Sequence, residues 1–463
     1  MTEHVRVAVV GGGVTGLCTA YYLSQSVGSD QVVLLEASEI LGGQTQSTSI
    51  DGFLCDWGPN GFLDREPATL KWISDLGGSH DLIRANKASA HRFILKNDEL
   101  VEIPLSPPAF LMSPLLSVTG RARVLCEPFI KRRTDQAPES LWAFAARRIG
   151  KEAADTMVDP MASGIFGGNS KELSLAHCFP RMAAMESDYG SLFKAMRAKK
   201  KQGTHVNTSG PAGTLTSFEN GIGHLPALAQ AALKNRVRCN TRVSDLSKDL
   251  VNFKLITDSG DEIVAESVVL ALPAFAAAAI TKRFDAGLSS ALSDIPYADM
   301  AVLCTGFKRD RVGHDLNGFG FVVPRNQGKR MLGCIWTSSV FDHRAPEGYV
   351  QLRTMYGGYT DSSAIELSDL ELLELQKREI GPLLKFDTPP DFVQVYRWRR
   401  GIPQYTLDHG TRMAQIEAAE ARHPGLVIAG NAYRGVGLND CVLSAHRAVS
   451  ALHMQPDGSK PPP

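Results

Sequence analysis

The stretch RVAVVGGGVTG, from Arg6 to Gly16, constrains this chain more than any other. A short apolar run enters Gly11, Gly13 and Gly16, the G-x-G-x-x-G spacing of a strand-to-helix turn. The first glycine makes the turn, the second lets backbone approach a pyrophosphate, and the third lets the helix pack close to the strand. Val14 and Thr15 then open a helix whose free N–H groups and positive dipole end favour phosphate. A second apolar run, QVVLLE, ends in Glu36 beside Ala37, about 20 residues beyond Gly16. A carboxylate there accepts hydrogen bonds from ribose hydroxyls and repels a 2′-phosphate. The pattern predicts a βαβ unit that holds a dinucleotide.

The turn after the acid narrows the ligand. Gly42 and Gly43 follow Glu36 in EASEILGGQTQS, where nicotinamide dehydrogenases usually run directly into another βαβ unit. An acid followed by a Gly-Gly turn looks like the flavin-oxidase version of the fold, so FAD is expected. The turn Gly58, Pro59, Asn60 has a sharply shaped backbone and is expected beside the isoalloxazine ring. Near the other end, GLVIAGNAYRGVGLNDC repeats the design of strand, glycines and helix start, at Val436, Gly437, Leu438 and Asn439. Two such devices suit one elongated ligand.

Lys plus Arg and Asp plus Glu both total 49, which argues against a nucleic-acid partner. The 8 cysteines form no CxxC pair and no Cys/His ligand spacing, so neither a metal site nor a disulfide framework is expected. No leader pattern precedes the first strand, and no uninterrupted apolar run reaches the roughly 18 residues that suggest a spanning helix. A cytoplasmic protein is expected, with peripheral membrane contact left open.

Two or three domains are expected from the length. From Leu105 the chain turns to proline-punctuated apolar stretches, amphipathic patterns and cations such as Lys131, Arg132 and Arg133. This predicts an inserted helical segment, which serves equally as a charged cap or as a lobe on an anionic membrane. KAMRAKKKQGTHVNTSGPAG reads as an exposed connection and PDGSKPPP as a disordered end. The fold class is α/β, α+β in part. Residues 1–60, 214–284 and 399–463 are expected to form a discontinuous Rossmann-like FAD domain, 61–91 and 285–398 a mixed-sheet substrate domain, and 92–213 a helical, membrane-associated domain.

GGGVTGL with the Gly42–Gly43 pair, GPNGFLDREPAT, FGGNSKELSL followed by CFPRM, GFGFVVP, RGIPQYTLDH and GNAYRGVGLNDC together resemble the oxygen-dependent, FAD-containing protoporphyrinogen oxidases. The likeness covers almost the whole chain. It implies FAD contacts at Gly11, Gly13, Gly16, Glu36, Gly42, Gly43, Asn60, Val243, Trp398 and the turn Val436 to Asn439. It also implies that Arg92 pairs with a substrate propionate and Gly164 lies against the tetrapyrrole, with Val322, Ile335 and Met355 as apolar walls. On its residues alone Arg92 reads as an isolated surface cation. Some relatives carry Phe where this chain has Met355, so the packing there differs.

The resemblance implies oxidation of protoporphyrinogen IX to protoporphyrin IX in haem biosynthesis, with dioxygen as acceptor and hydrogen peroxide as product. Coproporphyrinogen III oxidation to coproporphyrin III is the nearest alternative, then a flavin amine oxidase or carotenoid desaturase, and last a non-enzymatic FAD scaffold. No catalytic side chain is assigned, because the cofactor carries the hard chemistry and Asn60 reads as a positioning group. A homodimer, a hand-over to the ferrochelatase step and, in a bacterium, a place on the cytoplasmic face of the inner membrane complete the expectations.

Overall fold

The computed structural model describes residues 2–135, 137–201 and 213–452. Much of the basic connection and all of PDGSKPPP lie outside these residues.

Strand Thr2–Val10 sits near the middle of a seven-stranded sheet because its apolar side chains are buried on both faces, as parallel strands require. It pairs in parallel with Val32–Leu35 on one side and Glu262–Leu270 on the other. Strand Leu426–Ile428 also pairs in parallel with Glu262–Leu270, so chain regions more than 400 residues apart meet in one sheet. The turn at Asp258–Asp261, with Gly260 at φ +82°, reverses Phe253–Thr257 into Glu262–Leu270.

A second seven-stranded sheet contains Arg92–Lys96, Glu99–Glu102, Tyr297–Lys308, Gly320–Val322, Met331–Ile335, Tyr349–Gly357 and Phe392–Pro403. One face packs Leu95, Phe321, Cys334 and Tyr356 into a core with Leu372, Leu375 and Ile380 of helix Asp369–Leu384. A capping box starts that helix, Ser368 bonding the Glu371 N–H while Glu371 returns to the Ser368 N–H.

Several segments differ from their expected domains, among them the end of strand Phe392–Pro403, whose Ile402 and Pro403 pair within the second sheet rather than joining the FAD domain. Hairpin Arg92–Glu102 belongs to the second sheet rather than to the helical segment. Phe93 and Leu95 alternate onto the sheet core, and Arg92 to Ile94 pair in parallel with Gly320 to Val322. Asn97 and Asp98, both at positive φ, make its two-residue turn. Strands Phe62–Leu63 and Leu82–Arg84 pair with Leu215–Phe218 in a separate three-stranded sheet, and Phe62, Trp72 and Phe218 bury into the core of the first domain. Helix Ala286–Ser293, expected in the substrate domain, also packs on the first domain through Leu288 and Leu292, beside helix Ala274–Thr281.

The helical lobe starts three helices on serine caps, Ser106, Ser117 and Ser140. Inside it Arg148 and Glu127 are fully buried and paired, and Glu127 also accepts from Ser191 Oγ and Leu192 N. Removing Arg148 would leave the Glu127 carboxylate buried without its cation, at a cost of about 3–5 kcal/mol, whereas Glu186 at 3.2 Å still faces Arg148 if Glu127 is lost. Among the described residues no helix is long and apolar enough to cross a membrane.

Candidate active site

The first site is a backbone cradle. Gly11 has φ +106°, and a Cβ there would stand 2.3 Å from the Ala271 carbonyl oxygen. A Cβ on Gly16 would stand 1.8 Å from the Gly11 carbonyl oxygen. Both positions therefore exclude side chains for reasons internal to the fold. Gly13 is different, because a Cβ there would meet nothing within 4 Å. Gly43 faces it, with only Gly13 Cα within reach at 3.7 Å. The two bare positions are held opposite each other by Gly42 N–H donating to Gly12 O at 2.8 Å. Helix Val14–Val27 begins there without a side-chain cap, so its first N–H groups remain for a ligand.

Glu36 stands at the end of its strand as the sequence suggested. Its Oε2 accepts from Gly12 N at 2.6 Å and its Oε1 from Ser38 N at 2.8 Å, which fixes the carboxylate and leaves lone pairs for hydroxyls. Thr241 N–H donates to Glu36 O, bringing the start of strand Val243–Lys248 alongside Glu36 and Ala37. Val243 buries its side chain in the core, so what it can offer a ligand is backbone.

The opposite wall comes from the far end of the chain. Thr15 Oγ1 donates to Cys441 O at 3.1 Å, tying the first helix to helix Leu438–Ala451. Asn439 Nδ2 donates to Leu63 O at 2.9 Å, while its buried Oδ1 has no partner. Val436 packs against the helical lobe, and Gly437 caps the helix by donating to Asp440 Oδ2.

The turn Gly58–Pro59–Asn60 is clamped between the two sheets. Trp398 Nε1 donates to Trp57 O at 3.0 Å, and Arg353 Nη2 donates to Gly58 O. A Cβ on Gly58 would stand 2.5 Å from Gln44 O, so only glycine fits. Asn60 Nδ2 is buried without a partner. A buried amide costs about 1–3 kcal/mol while unpaired, which marks Asn60 and Asn439 as groups that a ligand completes.

The second sheet supplies the other site. Register aligns Arg92, Gly320, Ile335 and Arg353 in one row, and Ile94, Val322, Gly333 and Met355 in the next. Period-2 alternation puts both rows on the face opposite the helix-covered core. Gly320 has φ +129°, and its Cβ would stand 2.1 Å from Cys334 O, so this face is stripped of side chains at its centre. Gly164, on helix Asp159–Phe166, approaches the same face, where a Cβ would sit 3.3 Å from Val322 Cγ1. The structure thus brings together Arg92, Gly164, Val322, Ile335 and Met355, which lie far apart in sequence.

The Arg92 guanidinium lies 5.1 Å from the Phe319 ring centroid, and burial lowers its pKa. Among the described residues no carboxylate is within ion-pair distance of it. Sequence reasoning passed over Arg353. A charged residue inside the strand YVQLRTMYG, where it cannot reach solvent, was the available signal.

A glycine cradle with two helix N-termini and a fixed acid, joined through a shaped turn to a separate substrate sheet, defines a dinucleotide-type flavoprotein oxidoreductase. The profile of the family described as flavin containing amine oxidoreductase matches residues 14–453, and the chain belongs to that family. Its cofactor is FAD, and the cradle, the fixed acid and the unpaired asparagine atoms fit that group.

The chain is 30% identical over 460 residues to coproporphyrinogen III oxidase of Bacillus subtilis (strain 168), covering 96% of this chain and 97% of the relative. It is 28% identical over 471 residues to the chloroplastic protoporphyrinogen oxidase of Oryza sativa subsp. japonica, covering 96% and 87%. A crystal structure from Exiguobacterium sp. 255-15, provisionally described as a protoporphyrinogen oxidase, superposes with a TM-score of 0.83 at 27% identity, covering 97% of this chain and 98% of the other.

Proposed function

We propose that this chain oxidises a porphyrinogen to the porphyrin, with protoporphyrinogen IX as substrate and dioxygen as acceptor. The observation that carries this reading is the sheet face: a broad surface bared by Gly320 and Gly333, opposed by Gly164, with a largely buried cation at one edge and the Gly58–Asn60 turn at the other. A flat macrocycle with carboxylate arms matches that shape and charge. The names of its relatives point the same way.

When bound, FAD supplies two-electron acceptance from a substrate C–H and its own reoxidation by dioxygen, which yields hydrogen peroxide. The chain's residues bind and orient. Arg92 holds a propionate by a charge-assisted hydrogen bond, Val322, Ile335 and Met355 exclude water from the ring, and Asn60 fixes the cofactor edge nearest the sheet.

Coproporphyrinogen III is the second reading. Arg353 favours it, because a substrate with more carboxylates uses more cations, and so does the name of the Bacillus subtilis relative. Mixing the protein anaerobically with each porphyrinogen and then admitting air tests both. Flavin bleaching followed by recovery and porphyrin fluorescence is expected, and bleaching by amines alone would overturn the proposal.

Peripheral membrane contact belongs to the same proposal. Met112 and Phe129 are each 85% exposed and Val118 is 73% exposed in the lobe that carries Lys131 and Arg132. Flotation with anionic vesicles is expected, and loss of flotation in Met112→Ser/Phe129→Ser locates the contact.

A further inference from the structure

We propose that Arg353 is a second carboxylate-binding residue of the substrate face, which takes a propionate other than the one held by Arg92. The inference rests on the porphyrinogen reading above. Arg353 is only 5% exposed, and its Nε is buried without a hydrogen-bond partner. Nη2 is spent on the Gly58 carbonyl, and Nη1 has only the weakly accepting Met355 Sδ at 3.9 Å. Among the described residues no carboxylate lies within ion-pair distance.

A guanidinium stays charged at any physiological pH, and an isolated buried charge costs several kcal/mol. Arg344 shows how the fold treats a buried arginine that is purely structural. Its Nε also lacks a hydrogen bond, but Asp56 stands 3.8 Å from it, the Phe341 ring lies at 5.0 Å, and its other nitrogens bond Ser217 Oγ and two carbonyls. Arg353 lacks such a set, and it shares its face with the substrate-side residues rather than with the helix-covered core.

Position separates the two carboxylate contacts. Arg92 and Arg353 occupy one row with Gly320 and Ile335 between them, three strand spacings or about 14 Å between Cα atoms. One carboxylate cannot bridge that span, whereas two carboxylates on different pyrroles of one tetrapyrrole can. Coproporphyrinogen has a propionate on every pyrrole. Protoporphyrinogen has propionates on two neighbouring pyrroles and vinyl groups on the others, so both substrates offer a second carboxylate.

The test compares wild type, Arg353→Gln and Arg353→Lys, all FAD-loaded, with coproporphyrinogen III, protoporphyrinogen IX and the fully esterified coproporphyrinogen, and records the flavin reduction potential. Arg353→Gln is expected to raise KM for both free-acid porphyrinogens at least tenfold. The loss should be smaller for the ester than for the free acids, which separates a carboxylate contact from any disturbance of the Gly58 turn that Arg353 also bonds. Arg353→Lys should fall between, and it carries the test if the glutamine variant does not retain FAD. Unchanged KM values, or an equal loss on all three substrates with a moved potential, would overturn the assignment and place Arg353 with the turn or the flavin instead. Failure of every porphyrinogen to bleach the wild-type flavin would overturn the porphyrinogen reading and this inference with it.

Discussion

The cofactor cradle and the substrate face are both built around bare glycines, but the glycines are bare for different reasons. At the cradle Gly11 and Gly16 make room for neighbouring backbone, and Gly13 and Gly43 make room for a ligand. On the sheet Gly320 and Gly333 make room for each other's strands, and the resulting flat surface is what a ligand meets. The cradle therefore acts mainly through main-chain atoms, whereas the substrate face selects through a few side chains at its rim. Changes at the cradle should be all-or-none, and changes at the rim should be graded.

The largest expected effect is at Gly16. Gly16→Ala forces a Cβ to 1.8 Å from backbone oxygen and should cost about 4 kcal/mol or more, read as a collapsed Tm and colourless protein. Gly13→Ala sharpens the comparison, because its Cβ meets open space. It should keep the wild-type apo Tm and still lose FAD absorbance, and normal FAD content would remove the cradle assignment.

Next comes acid stability behind the second glycine turn. His409 stacks on Tyr405 at 4.3 Å and bonds the Tyr433 carbonyl at 2.8 Å, while the Tyr405 hydroxyl accepts from Gly435 N–H. Burial pulls the His409 pKa down to about 4. The unfolded chain, with an ordinary histidine value of about 6.5, binds the proton more readily than the folded chain across that interval. Stability is thus complete above about pH 6.5, falls as the pH drops toward 4, and levels below it, by on the order of 3 kcal/mol in total. His409→Gln should flatten this limb of the Tm against pH curve; an unchanged slope assigns the loss to other groups.

Arg92→Ala should raise the porphyrinogen KM roughly tenfold to a hundredfold, equivalent to about 1.4–2.8 kcal/mol, with FAD retained. Lysine should recover only part, since it lacks the planar fork. If FAD content falls with KM, the two sites are not separable as argued. The smallest expected effect is Glu36→Gln, which keeps an acceptor for Gly12 N–H but loses the charge. A rise of about fivefold to tenfold in the FAD dissociation constant, near 1 kcal/mol, is expected by titration of the apo protein.

The same contrast explains what could be read from sequence. Gly11 to Gly43 lie within one continuous stretch whose spacing encodes a turn, and the structure has that turn. The substrate face is assembled by register between strands drawn from residues 92 to 357, and no local pattern states that Arg92 sits beside Gly320. Its members came from resemblance, and Arg353, which the resemblance did not supply, was passed over. The domain edges were missed for a related reason. Arg92–Glu102 reads locally as a hairpin, and only its parallel pairing to Gly320–Val322 shows which sheet owns it.

The bond from Thr15 to Cys441 also sets an order of events during synthesis. The opening turn leaves the ribosome about 400 residues before its facing helix and the parallel strand Leu426–Ile428. A growing chain therefore lacks one wall of the cofactor berth until helix Leu438–Ala451 has emerged.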